Sequence, residues 1–385
     1  MIADTRSLEA FLLRDLSRKC VLLSGPRQVG KTTLAKKIIK EKKGRYLLYD
    51  NEEDRRVILA RGYVQDFWVC LDEFHKFPRW KAHIKGVYDK YRDSLHLLLT
   101  GSARLDVYQK SGDSLLGRYY LHHLHPLTFG ELNKDRFPPL PDGFFEVHES
   151  FSHLAELMKF GGFPEPFYSQ SETEHRRWSQ MRRQLLIRED LRDMTQIQLL
   201  ALVEQLMLIL PERIGSLFSF HSLSEDLRVS VPTVQNWMEA LKRLFIIFDL
   251  TPYSHKISRS LKKQPKYYFY DWSQISDEGS RFENLVASHL WKAVQQWTDL
   301  GYASLGLHFV RDRDQREVDF LVTRNRKPWF LVEAKLAETQ FSPSLKFYSQ
   351  KLNVPGLQIV LKEGHYRRED PLLLVSANRW LGFLP

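Results

Sequence analysis

The sequence predicts an α/β chain: a parallel sheet with helices on both faces, then a helical stretch and a helix-turn-helix, then a second α/β domain. Three observations lead there. Between residues 19 and 127, short apolar runs alternate with segments whose apolar residues recur at helical spacing. A proline-rich break, "DRFPPLPDGFF" at 135–145, ends that alternation. From 281 onward the pattern reads helix, three strands, helix, strand.

In the first region the apolar runs are "KCVLLSG", "RYLLYDN", "FWVCLDE", "SLHLLLTGS" and "YYLHHLHPL". The helical segments between them are "KTTLAKKIIKEKK", "EEDRRVILARG" and "RWKAHIKGVYDKYRD". Crossovers of that length join parallel strands and cover both sheet faces. Residues 146–214 read as helical apart from a turn, "GGFPEP", at 161–166, and 215–250 read as a helix-turn-helix followed by a strand. The expected domains are 1–140, 141–214, 215–270 and 271–385.

Composition narrows the class. Hydrophobic residues make up 43% and charged residues 27%, which suits a soluble globular chain. The longest apolar run, "LLALVEQLMLIL", is interrupted by Glu204 and Gln205 and falls short of the ~20 residues that span a bilayer. The first residues lack the order of a secretory signal, so a cytoplasmic location without membrane association is expected. Cys20 and Cys70 each adjoin or lie in a strand-like run, against disulfides or a cysteine-based zinc site. A net charge of +10 points to a polyanionic partner or to a solvated excess of lysine.

The stretch "GPRQVGKTT", Gly25, Pro26, Arg27, Gln28, Val29, Gly30, Lys31, Thr32 and Thr33, follows an apolar strand and opens a helix. It fits G-x-x-x-x-G-K-[ST]. Gly25 and Gly30 let the backbone curl so that its N–H groups face phosphate oxygens. Lys31 brings a compact charge to the β- and γ-phosphates, and the Thr32 hydroxyl is a ligand for Mg²⁺. The strand "FWVCLDE" ends in two acids: Asp72 to hold Mg²⁺, directly or through water, and Glu73 to activate the attacking water. Thr100 and Ser102, at the end of the next strand, are candidates to sense the γ-phosphate or to cap a helix.

In this order, "GPRQVGKTT", "LDE", "TGS", "LLGRYY", "HPLTFGEL" and "GGFPEP" resemble a group of prokaryotic AAA-type P-loop ATPases, over about the first 170 residues. The resemblance implies ATP and Mg²⁺ as cofactors and an arginine that completes the site, often from a neighbouring subunit in a homo-oligomer. Arg118 in "LLGRYY" is the first candidate and Arg104 in "SARL" the second; each also reads as a plain surface arginine. The cluster "HHLH", with His122, His123 and His125, has no third ligand at metal spacing.

"HSLSEDLRVSVPTVQNWMEALKRLF" reads as two helices with a tight turn. Ser230 is a cap, Pro232 lies in the first turn, and Val234, Met238, Leu241 and Phe245 share one face. Thr233, Gln235, Asn236, Glu239 and Arg243 are left outward, with the hydrogen-bonding character of a recognition helix. Residues 254–268 then carry Lys256, Arg259, Lys262, Lys263 and Lys266 without an acid, beside Tyr267 and Tyr268. This suits the wing of a winged helix gripping DNA phosphates. Internal packing is the competing reading, since "KYYFYD" is similar to a motif of the same family's C-terminal region.

"HFVRDRDQREVDFLVTRNRKPWFLVEAKL" reads as three strands. Period two puts Glu333 and Lys335 on one face of the third, and Asp319 lies fourteen residues before Glu333, a hairpin's reach. Two such carboxylates suit a divalent cation, and Lys335 suits polarising a water that attacks a phosphodiester. The pattern resembles the PD-(D/E)xK nuclease superfamily, with a restriction-endonuclease-like core, although Asp319 follows Val318 where that family has proline. The resemblance implies Glu283 as a third acid and Gln350 as an accessory residue. Two functions remain: an AAA-type ATPase acting on DNA with a metal-dependent nuclease domain, or a nucleotide-dependent scaffold for protein or RNA whose nuclease-like domain is inert.

Overall fold

The computed structural model describes residues 6–101, 115–133, 152–191, 200–254 and 264–385, the side chains of residues 189 and 190 excepted. They form two compact units, Met1–Pro126 and Leu127–Pro385.

The first unit contains helices α1 (Glu9–Leu16), α2 (Lys31–Glu41), α3 (Glu52–Leu59) and α4 (Trp80–Tyr91). Its strands are β1 (Cys20–Ser24), β2 (Arg45–Leu48), β3 (Trp68–Asp72), β4 (His96–Thr100) and β5 (Tyr119–His123). They coincide with the five apolar runs. All pair in parallel, in the order β2-β3-β4-β1-β5. A sheet covered on both faces needs continuous apolar strands, and every residue of β1 is buried. From β1 the chain crosses to one side and reaches β5 on the other. The carboxyl end of β1 is therefore a switch point, where α/β sheets open a crevice for ligands.

The second unit begins with α5 (Phe129–Leu132), α6 (Leu154–Phe160), α7 (Pro164–Ser169), α8 (Glu172–Leu185) and α9 (Leu200–Ile209). The turn expected at 161–166 is shorter, because Pro164 opens α7 where its fixed φ suits a first turn. Helices α10 (Phe220–Asp226) and α11 (Val231–Arg243) follow, then β6 (Ile247–Leu250) paired antiparallel with β7 (Lys266–Phe269). Ser230 caps α11 by accepting from the Thr233 amide, as its sequence position predicts.

The remainder is α12 (Glu278–Asp299), β8 (Leu305–Arg311), β9 (Glu317–Arg324), β10 (Lys327–Lys335), α13 (Pro343–Leu352) and β11 (Gly356–Val360). It matches the helix, three strands, helix, strand order. Beyond it lie β12 (Tyr366–Glu369), β13 (Leu372–Ser376) and α14 (Ala377–Trp380), which the sequence reading lacked. The sheet runs β12-β13-β11-β10-β9-β8, with β10, β11 and β13 parallel and the rest antiparallel.

Two of the quoted motifs have structural work in this unit. From "HPLTFGEL", Glu131 forms a fully buried ion pair with Lys292 of α12 at 2.6 Å. Lys292 also donates to the Thr128 hydroxyl, which in turn donates to the Pro385 carbonyl. A Cβ on Gly130 would stand 2.0 Å from the Leu384 carbonyl oxygen, so the close approach requires glycine. From "GGFPEP", Phe163 lies 4.1 Å beneath the buried Arg182 guanidinium.

Candidate active site and C-terminal acid cluster

At the switch point the chain leaves β1 through Gly25, whose φ is +144° and whose Cβ would meet the Leu124 carbonyl oxygen at 2.3 Å. The loop ends at Gly30, φ +101°, the N-cap of α2, which as glycine has no side chain to cap the helix. Uncapped amides at a helix start favour an anion. Lys31 folds over the loop and donates to the carbonyls of Gly25 at 2.9 Å and Pro26 at 2.7 Å. Arg6 braces the loop from outside by donating to the Val29 carbonyl at 2.9 Å and to that of His125 at 2.5 Å. Pro26 and Val29 are buried, Arg27 is half-buried, and Gln28 and Thr33 are exposed.

Strand β4 lies between β1 and β3, so Thr100 at its end sits between the loop and Asp72. Its buried hydroxyl donates to Asp72 Oδ1, which also accepts from the Glu73 amide at 3.0 Å. Asp72 Oδ2 accepts from the Thr32 hydroxyl at 2.7 Å and from the Tyr46 hydroxyl on β2. Burial pushes the Asp72 carboxyl up, but the donors from Thr100, Tyr46, Thr32 and Glu73 outweigh it and hold it below its ordinary value. Thr100 thus braces the acid through that hydrogen bond. Ser102 and Arg104 lie outside the described residues.

Glu73 has a left-handed backbone, φ +54°, which turns its side chain away from the strand direction. Its carboxylate lies 3.5 Å from Lys76 Nζ and 3.8 Å from His75 Nε2. Burial raises its pKa, against the pull of the Lys76 ammonium. An ionised Asp72 touching the Thr32 hydroxyl fits a magnesium ion, and a proton-hungry Glu73 beside it fits a base.

Arg118 stands at the other end of the sheet. It precedes Tyr119, which pairs with Cys20 at the start of β1. One five-residue strand, roughly 16 Å, separates it from the loop. Its guanidinium grips Asp89 of α4 in a forked pair, Nε at 2.6 Å and Nη2 at 3.2 Å. That places its guanidinium about a strand length from its own chain's loop. His122 turns to Asp15 of α1, Nε2 to Oδ2 2.8 Å.

In the second unit, Gln235, Asn236 and Arg243 of α11 are exposed and Thr233 and Glu239 half-buried. Four of the five wing cations lie outside the described residues. The fifth corrects the sequence reading: Lys266 is 3% exposed, 2.5 Å from Glu317 Oε1 and 3.7 Å from Glu283 Oε1. Tyr267 and Tyr268 are also buried, and Tyr268 donates to Glu283 Oε1 at 2.8 Å, so none of the three can grip or stack on a nucleic acid.

Phe320 pairs with Val332, which places Asp319 opposite Glu333 on the next rung. Asp319 Oδ2 accepts from the Ala334 amide at 2.9 Å, and Lys335 lies 3.0 Å from Glu333 Oε1. Burial, then the Asp319 charge, lifts Glu333 to about 7; the same two causes lift Glu283 to about 7. The resemblance-derived acids therefore come together. Gln350 stands exposed on α13. The sequence reading missed Tyr46, Arg6, Glu317 and the burial of Lys266, which lies in a strand buried at every residue.

Residues 17–133 match the AAA domain model, 152–275 a domain of unknown function (DUF8612) and 278–379 another (DUF4143). An uncharacterised protein of Mycobacterium tuberculosis is 23% identical over 99% of this chain and 85% of its own length. One of Methanocaldococcus jannaschii is 23% identical over 90% of this chain and 82% of its own. Among solved structures, the Thermotoga maritima RuvB Holliday junction branch migration motor aligns over 67% of this chain and 92% of that one, at 17% identity and TM-score 0.30. Bacteroides Pif1 bound to ssDNA aligns over 32% of this chain and 42% of that one, at 12% identity and TM-score 0.22. No described helix is long and apolar enough to cross a membrane.

Proposed function

We propose that the chain binds ATP at the loop of Gly25 to Thr33 and hydrolyses it. The observation that carries this reading is the 2.7 Å hydrogen bond from Thr32 to Asp72, which joins the glycine loop to the acid strand at the switch point. Incoming phosphates draw Lys31 from the carbonyls of Gly25 and Pro26 and take its charge, while the amides at the start of α2 receive the oxygens. Thr32 and Asp72 would hold Mg²⁺, which would supply neutralisation of phosphate charge. Glu73 takes the proton of the attacking water. A second chain's Arg118 is the arginine that fits, because this chain's own is a strand length away.

Lys31→Ala should abolish nucleotide binding. Glu73→Gln should leave binding intact and slow turnover by about 10²–10⁴-fold, the usual contribution of a general base. Unchanged hydrolysis in Glu73→Gln would remove Glu73 from its role.

The exposed polar face of α11 supports DNA as the partner on which the ATP cycle acts. For the C-terminal sheet, paired carboxylates with Lys335 support metal-dependent cutting. The burial of Lys266 among the same acids favours the second reading, in which this domain holds a partner without cutting it. Incubating DNA with Mg²⁺ or Mn²⁺ separates the two: cutting that is lost in Lys335→Ala and Glu333→Ala establishes the nuclease. Salt-sensitive retention without cutting establishes the binding module.

A further inference from the structure

A centre of the kind that Asp319, Glu333 and Lys335 resemble implies a divalent cation, and the side chains around it show whether one fits. One feature does: Glu333 Oε2 is buried without a hydrogen-bond partner among the described residues. The rest do not. Lys266 reaches in from β7, lies 3% exposed, contacts Glu317 and Glu283, and stacks 5.5 Å over the Phe309 ring. Tyr268 takes the Glu283 oxygen that Lys266 faces, the Ala334 amide takes one Asp319 oxygen, and Lys335 takes Glu333 Oε1. Arg311 takes the second oxygen of Glu317 at 2.6 Å.

Burying an ammonium is unfavourable unless carboxylates surround it, and breaking such a set leaves a charge stranded. Lys266 is therefore held by the cluster as firmly as it neutralises the cluster. Four carboxylates, Glu283, Glu317, Asp319 and Glu333, face three fixed cations, Lys266, Arg311 and Lys335. Lys266 already occupies the place beside Glu283 and Glu317 that a divalent ion would need. Removing that one ammonium vacates it.

We infer that Lys266 is the resident cation of this cluster: a tethered ammonium stands in place of a divalent metal, and the C-terminal sheet engages its partner without metal-dependent cutting. The inference rests on the second reading of that domain and not on the ATPase. The buried lysine also ties β7, the partner strand of β6, to β9 through Glu317 and to α12 through Glu283.

The test is Mn²⁺ titration of the nucleotide-free full-length chain, read by electron paramagnetic resonance. Wild type, Lys266→Met, Lys266→Met with Glu333→Gln, and Glu333→Gln alone are compared. Lys266→Met should gain one Mn²⁺ site at least about tenfold tighter than any in wild type, and the added Glu333→Gln should abolish it. A thermal melt and a wild-type-like near-ultraviolet circular dichroism spectrum show that Lys266→Met is folded. The inference is overturned if a folded Lys266→Met chain gains no site. It is overturned equally if wild type itself binds one Mn²⁺ that Glu333→Gln removes, an arm that decides even where Lys266→Met does not fold.

Discussion

Tyr46 comes from an edge strand, yet its hydroxyl shares Asp72 Oδ2 with Thr32. A carboxylate that answers to four donors has little freedom to rotate, and outer donors of this kind set how well a ligand oxygen is aimed. Tyr46→Phe should therefore leave nucleotide binding near wild type and raise the Mg²⁺ concentration for half-maximal hydrolysis by about tenfold. A Mg²⁺ titration of turnover checks it, and an unshifted midpoint would reduce Tyr46 to packing. The acids of the C-terminal cluster carry a second consequence, for stability. Glu283 and Glu333 titrate near 7 in the folded chain against an ordinary 4.5. Between those values the folded state holds protons that the unfolded chain has released. The stabilisation from these groups is complete below about 4.5 and is lost as pH rises through 7. The melting temperature of the second unit should fall from pH 5 to pH 8, and Glu333→Gln should flatten that slope.

At the scale of elements, glycine and ion pairs fix joints that strands and helices alone leave loose. Gly25→Ala would drive a methyl to 2.3 Å from a backbone oxygen of Leu124. Backbone cannot swing aside as a side chain can, so the loss should exceed about 2 kcal/mol by denaturant unfolding, with nucleotide affinity falling too. Lys292→Ala would strand Glu131 in the joint between α5 and α12, at a cost of about 3–5 kcal/mol. Loss under 1 kcal/mol would mean that water reaches the pair. The strands of the first unit were legible because continuous apolar runs bounded by glycine and acids admit few alternatives. β12 and β13 were not: β12, "YRRE", is exposed throughout and shows no buried face, and the run "LLLVS" sits too near the chain end for periodicity to place it. Motif spacing located Lys31, Thr32, Asp72 and Glu73. It could not reveal that Thr100 spends its hydroxyl on Asp72, because that depends on β4 lying between β1 and β3. Lys266 was misread for a related reason: a charge count along 254–268 is blind to the burial of the strand that holds it.

At the scale of the whole molecule, the ATP hydrolysis proposed for the first unit calls for an arginine at the far side of the phosphates. The described arginine with the right motif, Arg118, is at the opposite end of the sheet, partly exposed and paired with Asp89. A residue placed so that it cannot serve its own loop is well placed to serve a neighbour's, since exposed ion pairs open readily. If chains assemble so that this end meets the loop of the next, two different defects should complement. Lys31→Ala chains lack nucleotide binding but keep Arg118; Arg118→Ala chains keep the loop but lack the arginine. Each alone should be nearly inactive, with Arg118→Ala still binding nucleotide. Mixed in equal amounts, they should regain a measurable fraction of wild-type hydrolysis, because some interfaces then join an intact loop to an intact arginine. The recovery should also grow with protein concentration, as assembly does. Wild-type turnover in Arg118→Ala alone would assign the arginine to the Asp89 contact. No recovery in the mixture, with both variants folded and assembled, would place the missing cation elsewhere.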